Sequence, residues 1–340
     1  MKVLLYSQNQ KTLSKSGIGH ALSLQKQALE KQGVQVTFDP NDTYDICHIN
    51  TMFNKSYYFM RKLQKMQIPV VVHGHSTKED FRNSFKFSNY VSNLFNHSLI
   101  KMYSKAEYII TPTNYSKKLI ENYGIKAKIF AVSNGINLEQ YFNDTKYNPD
   151  EVDAFYKFIN IKPTDKFIIG MGFYFVRKGL HDFIEVAKEF PNIKFIWFGH
   201  MYKGLTSKPI LNALKNKPDN VILPGYIGMN YKKIAFAKAE LFFFPSYEET
   251  EGIVTLEALA SKLPLLVRDI PVYEGWLKNN YNCHMGKNNE DFIKKIKVIL
   301  SEDQTTIINN GYETVKKRDI SETGKELVKI YKEIINASKS

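Results

Sequence analysis

The 340-residue sequence predicts an α/β protein of two tandem parallel-sheet domains. Three observations predict it. Short β-branched or aromatic runs alternate with helical patterns, the alternation breaks at a polar stretch (YFNDTKYNPDEVD, 141–153), and it then restarts. The length also exceeds one comfortable core, since domains typically hold about 100–200 residues. A hydrophobic content of 43% supplies two packed cores, and no repeat or low-complexity tract suggests a solenoid, fibre or disordered chain.

In chain order the first half offers strands at VLLY (3–6), VQVTF (34–38), ICHIN (46–50), PVVVH (69–73), YIIT (108–111) and KIFAV (128–132). Helices fit between them, as in HALSLQKQALEKQG, where Leu22, Leu24, Ala28 and Leu29 share a face and Gly33 stops the run. After the interruption come KFIIGMGFYF (166–175), IKFIWFG (193–199), NVILPG (220–225), ELFFFP (240–245) and PLLVRD (264–269). Only helical patterns follow residue 286. The last carries Leu327, Ile330, Tyr331, Ile334 and Ile335 on one stripe, as expected of a closing helix (319–340) that packs back on the first domain. The expected domains are therefore 1–150 and 151–318, with a ligand between the carboxyl ends of their strands.

Cys47 and Cys283 are isolated and outside any CxxC spacing, which predicts neither disulfide nor zinc site and suits a reducing cytoplasm. The amino-terminal run lacks a signal-peptide core, and no stretch approaches the roughly 20 apolar residues of a spanning helix. The formal net charge of +13 is uneven. Residues 1–146 hold 19 Lys/Arg against 10 Asp/Glu, and the remainder 28 against 24. A basic first half could meet nucleic acid or an anionic bilayer.

Four motifs carry chemistry. In KSGIGHAL, Gly17 and Gly19 open a helix after the first strand, as a structural turn or a close approach to a phosphate or sugar. VVVHGHS ends a buried strand in His73, then His75. A histidine there can donate to a substrate hydroxyl or be satisfied by backbone, and as a metal pair the two lack a third ligand. GMGFYFVRKGL sets Arg177 and Lys178 before Gly179 and a helix, a place suited to a diphosphate or to a solvated cation pair. PSYEETEGIVTLEALA places Glu249 in a loop and Glu257 on the helix after Gly252. Carboxylates bind vicinal hydroxyls through two acceptor oxygens, so one can hold a sugar and the other a ribose. Glu248 and Glu251 fit charge complementarity at a helix start.

These motifs, with VSNGIN (132–137) and ALASKLPLLVRDIP, resemble the family 4 GT-B glycosyltransferases over nearly the full length. The resemblance implies two Rossmann-like domains facing across a cleft, and a retaining, metal-independent transfer from a UDP-hexose without other cofactor. It implies that Glu257 bonds the ribose and Glu249 the donor hexose. Arg177 or Lys178 would hold the diphosphate, assisted by backbone amides of Gly252, Ile253 and Val254. His73 would sit near the transferred sugar, with Gly17 and Gly19 admitting the donor. Phe173 stands where members often carry arginine, and Asn137 where an acidic residue closes the SNGI motif.

HGHSTKEDFRNSF and EETEGIVTLEALASKLPLLVRDIPVYEGWL further resemble bacterial enzymes that add a second glucose or galactose to α-monoglucosyldiacylglycerol. That resemblance implies a peripheral enzyme on the cytoplasmic face of the plasma membrane. Independently, residues 55–105 hold nine Lys/Arg, two Asp/Glu and nine Phe/Tyr. Arg61, Lys62, Lys65, Arg82, Lys86, Lys101 and Lys105 suit an anionic bilayer, with His75 toward the acceptor. The alternatives are another cell-envelope acceptor, or a basic nucleic-acid-binding protein. The latter leaves Glu249 and Glu257 idle and shows no RNP or helix-turn-helix pattern.

Overall fold

The computed structural model describes residues 1–8, 17–82, 84, 86, 88–141, 147–201 and 204–338. Ser16 of the SGIGH motif, part of the 141–153 interruption and the last two residues lie outside the described residues. The chain divides into unit 1 (1–81, 91–137 and 317–340) and unit 2 (82–90 and 138–316). The second unit thus takes up the main chain at Leu138 rather than at 151, and it also claims the short segment Arg82–Tyr90.

Among the described residues, unit 1 is built on six parallel strands. They are β1 (Lys2–Tyr6), β2 (Gln35–Thr37), β3 (Ile46–Ile49), β4 (Val70–His73), β5 (Tyr108–Thr111) and β6 (Lys128–Ala131), in the order β2-β1-β3-β4-β5-β6. Its helices are α1 (Gly17–Lys31), α2 (Asn54–Lys65), the single turn α3 (Lys78–Phe81), α4 (Ser88–Tyr103) and α5 (Asn114–Asn122). The strands read as continuous apolar runs because helices cover both faces of a parallel sheet, and β3 and β4 are buried at every position.

Unit 2 repeats the plan with β7 (Phe167–Met171), β8 (Lys194–Phe198), β9 (Val221–Gly225), β10 (Leu241–Phe244), β11 (Leu265–Arg268) and β12 (His284–Gly286). Their order is β12-β11-β10-β7-β8-β9. From β7 the chain builds outward through β8 and β9, then returns to β10 on the other side of β7. The carboxyl ends of β7 and β10 therefore form a topological switch point, where open α/β sheets hold their ligands. The helices here are α6 (Pro149–Ile159), α7 (Leu180–Ala187), α8 (Lys208–Lys215), α9 (Met229–Lys238), α10 (Ile253–Ala260), α11 (Asn289–Ser301) and α12 (Thr305–Lys316).

The closing helix α13 (Ile320–Ala337) belongs to unit 1 and lies on α1. Leu327, Ile330, Tyr331 and Ile334 enter the core with Leu22, Leu29, Val3, Leu5 and Val71, and Ile335 packs at its edge. The approach is close at Gly324, where an added Cβ would stand 2.2 Å from the carbonyl oxygen of Ala28. Gly324→Ala is expected to force the two helices apart and to cost about 1–3 kcal/mol, the usual penalty for overpacking. Thermal denaturation checks this, and an unchanged Tm would show that the helices separate without loss.

Candidate functional site

The predicted donor residues of unit 2 gather at its switch point. The fully buried strand β10 delivers Pro245, Ser246 and the acidic loop, while β7 leads through a 3-10 turn (Val176–Lys178) to α7. The strands are neighbours, so their trailing loops bond to each other. The Tyr247 amide donates to the Arg177 carbonyl at 2.7 Å. Gly179, at φ +76°, comes so near that a Cβ there would lie 2.3 Å from Pro245 O.

Lys178 and Glu249 meet directly, with Nζ 2.5 Å from Oε1, and both side chains are largely buried. Ser246 Oγ lies 2.6 Å from the same carboxylate oxygen, which its single proton serves. Burial pushes the Glu249 carboxyl upward, but the charges of Lys178 and Arg177 and the bonds from Lys178 and Ser246 outweigh it. The group therefore sits below the ordinary carboxylate range. Arg177 points elsewhere: Nε donates to Ser84 Oγ at 2.8 Å and Nη1 to Glu248 O at 3.3 Å. Phe173, in place of an arginine, packs against Phe175.

Gly252, at φ +80°, turns the loop into α10, with Ile253 and Val254 half-buried in the first turn. Glu257 is fully buried one turn on, and its Oε1 accepts from Lys232 Nζ of α9 and from Tyr141 Oη at 2.6 Å. Glu251, read as a helix-start charge, is 1% exposed. A third buried ion pair, Arg268–Asp182 at 2.7 Å, acts as a brace. Arg268 also donates to Pro245 O and Lys287 O, and its guanidinium lies 3.9 Å from the centre of the Tyr247 ring.

Sequence reasoning missed Lys232, Tyr141, Ser246 and the Arg268–Asp182 brace. Arg268 had a signal, since a charged residue closing the apolar run LLVR requires a partner. Lys232 had none among the three lysines of NYKKIAFAK.

In unit 1 His73 ends β4, buried and stacked on His75 at 3.8 Å between ring centres. Burial holds both imidazoles well below their usual range, His75 at about 3. His73 is therefore a neutral hydrogen-bonding group at physiological pH rather than a titrating one. His75 donates from Nε2 to Asn50 Oδ1 at 2.8 Å. Gly17 and Gly19 fall in the first turn of α1, and Asn137 Nδ2 donates to Gln27 Oε1.

The basic residues do not form one group. Arg61, Lys62 and Lys65 lie on α2, with Arg61 half-buried against Gln64. Lys101 lies in the last turn of α4 and covers the Tyr57 ring at 4.6 Å, with Lys105 exposed beyond the helix. Tyr58, Met66 and Leu94 are exposed beside them in sequence. Arg82 and Lys86 are exposed too, but on the segment that belongs to unit 2.

Compared with known proteins, the chain is 49% identical over 336 residues to a processive diacylglycerol alpha-glucosyltransferase of Acholeplasma laidlawii, covering 98% of this chain and 99% of that one. The chain belongs to glycosyltransferase family 4. The model for Glycosyltransferase Family 4 matches residues 40–140, and that for Glycosyl transferases group 1 matches 152–314, which spans Lys178, Glu249 and Glu257. An alpha-galactosylglucosyldiacylglycerol synthase of Streptococcus pneumoniae is 26% identical over 72% of this chain and 65% of its own length. Among solved structures, an Anabaena protein in complex with UDP and glucose superposes with a TM-score of 0.77 at 16% identity, covering 98% of this chain and all of that one. Sucrose-phosphate synthase from Thermosynechococcus elongatus does so at 0.78 and 14%, over 99% of this chain and all of that one. The two six-stranded units thus form the GT-B fold of a family 4 glycosyltransferase.

Proposed function

We propose that this transferase takes a hexose from UDP-glucose or UDP-galactose and adds it, with retention, to α-monoglucosyldiacylglycerol, forming a diglycosyldiacylglycerol. The observation that carries the donor half is the Lys178–Glu249–Ser246 cluster at the switch point of unit 2. It sets an ionised carboxylate, which accepts sugar hydroxyls, beside fixed cations that meet a diphosphate. Negative charge grows on the departing diphosphate, and Lys178, Arg177 and the first amides of α10 oppose it without reorganising. These groups supply that charge from the protein itself, which favours transfer without a metal. Glu257, steadied by Lys232 and Tyr141, takes the ribose hydroxyls, and His73 donates to the transferred sugar.

The acceptor half rests on the similarity to the Acholeplasma and Streptococcus lipid glycosyltransferases. The exposed lysines and aromatics of α2 and α4 suit an anionic lipid surface at the cytoplasmic face of the plasma membrane, each cation contributing about 1 kcal/mol near it. No described helix is long and apolar enough to cross a membrane. The Acholeplasma relative is processive by name, so diacylglycerol and the diglycosyl lipid belong beside the monoglucosyl lipid as acceptors in the assay.

Transfer from either UDP-hexose is expected with these lipids in anionic vesicles and to weaken as salt shortens the Debye length from about 10 Å to about 3 Å. Mass spectrometry of donor and lipid pairs reads the products. Equal transfer to soluble sugars in the absence of lipid would overturn the acceptor assignment and favour another envelope acceptor.

A further inference from the structure

Two histidines, His48 and His73, are buried in the core of unit 1 and chained to the closing helix. Tyr331 Oη of α13 stands 2.6 Å from His48 Nδ1, and His48 Nε2 stands 3.1 Å from His73 Nδ1. Gln25 Nε2, on α1, lies 2.9 Å from that same His73 nitrogen. The proton positions follow from the orientation of the Gln25 amide, whose nitrogen faces His73 Nδ1. An amide nitrogen can only donate, so His73 Nδ1 accepts and the ring's proton lies on Nε2. His48 Nε2, facing the same nitrogen, must then donate as well, and the two donors share its single lone pair. A neutral His48 has one proton to give, so its Nδ1 accepts from the Tyr331 hydroxyl. Burial supports each state: it holds His48 at about 3 and raises the Tyr331 phenol, so the rings are neutral and the hydroxyl keeps its proton. His73 Nε2 is left buried with no partner among the described residues.

We propose that Gln25 and His48, the latter held by Tyr331, are positioning residues that lock His73 as its Nε2–H tautomer and aim that donor at a hydroxyl of the transferred hexose. The inference rests on the reading of His73 as the sugar-facing group. A donor fixed in this way adds no positive charge where the sugar ring itself becomes electron-poor, and it transfers no proton. It also gives the closing helix a part in the reaction, because the phenol that starts the chain comes from α13, more than two hundred residues beyond His73 in sequence.

Nitrogen-15 NMR of the histidine-labelled full chain reads the tautomers without substrate. His73 is expected as Nε2–H. Gln25→Leu combined with His48→Leu removes both donors to His73 Nδ1 and is expected to let His73 exchange between tautomers and to lower kcat by about tenfold, the scale of one lost buried hydrogen bond, with UDP affinity unchanged. Gln25→Leu combined with His48→Gln keeps an N–H donor near the original His48 Nε2 and is expected to restore kcat to within about threefold. Tyr331→Phe is expected to shift the His48 tautomer. Melting temperatures of all variants separate these effects from loss of fold. An Nδ1–H His73 in the wild type, or an unaltered His73 tautomer and kcat in the folded double variant, overturns the relay. A locked tautomer together with wild-type turnover in His73→Ala overturns the sugar-facing assignment instead.

Discussion

Lys178→Met is expected to lower turnover of the UDP-hexose by about 10²–10³-fold, the range seen when one preorganised charge-stabilising donor is removed. The same change should destabilise the protein by about 3–5 kcal/mol, because it strands a buried carboxylate rather than removing a surface charge. Glu249 is 6% exposed, and Lys178 supplies the nearest cation. In the wild type the folded carboxyl titrates below its unfolded value, so ionised Glu249 contributes stability above the unfolded pKa. That contribution is lost as pH falls through the depressed folded value. Without Lys178 the upward push of burial dominates and the sign reverses, so protonation then favours the folded form. The gap in Tm between variant and wild type should therefore narrow as pH falls from neutrality toward about 4. Lys178→Met with Glu249→Gln removes the stranded charge and should recover most of the stability but none of the activity. A stable single variant whose Tm gap does not change with pH would show that Ser246 and Arg177 suffice to hold the carboxylate.

How far the sequence revealed this site depends on the kind of contact. Periodicity located eleven of the strands, because a parallel strand covered on both faces is an unbroken apolar run. It missed β12, whose three residues His284–Gly286 have no such run. The polar stretch at 141–153 marked the interruption between domains but not the boundary, since Tyr141 already belongs to unit 2 through its bond to Glu257. The Glu249-x7-Glu257 spacing placed one carboxylate in a loop and one on a helix. It could not show that Lys178, assigned to a phosphate, would also pair with Glu249. That contact follows from β10 returning beside β7, and strand order is a tertiary property that local pattern does not encode. His73 was visible as the end of a buried strand, whereas His48 and Tyr331 looked like ordinary core positions. Their polar atoms meet only once α13 docks on unit 1.

Gly179→Ala should nearly abolish activity while the rest of unit 2 stays folded. Two costs combine at this position. Its φ of +76° is left-handed and strains any residue with a Cβ, at about 1–3 kcal/mol. The added carbon would also stand 2.3 Å from Pro245 O, a backbone atom that cannot swing aside as a side-chain end would. Either the turn carrying Lys178 or the loop carrying Ser246 and Glu249 must retreat. The loop is braced by Arg268, whose Nε holds Pro245 O at 3.1 Å and whose partner Asp182 is buried. The turn is therefore the part that yields, and Lys178 moves with it. A displacement of about 1 Å at such a site is worth on the order of 10²-fold in rate. Gly33→Ala supplies the control, because Gly33 has a φ of +72° and nothing within 4 Å of an added Cβ. It carries the backbone strain without the collision and should leave turnover unchanged. The difference between the two variants isolates the close approach of the β7 and β10 loops, and equal Tm shifts with equal turnover in both would remove Gly179 from the architecture of the donor site.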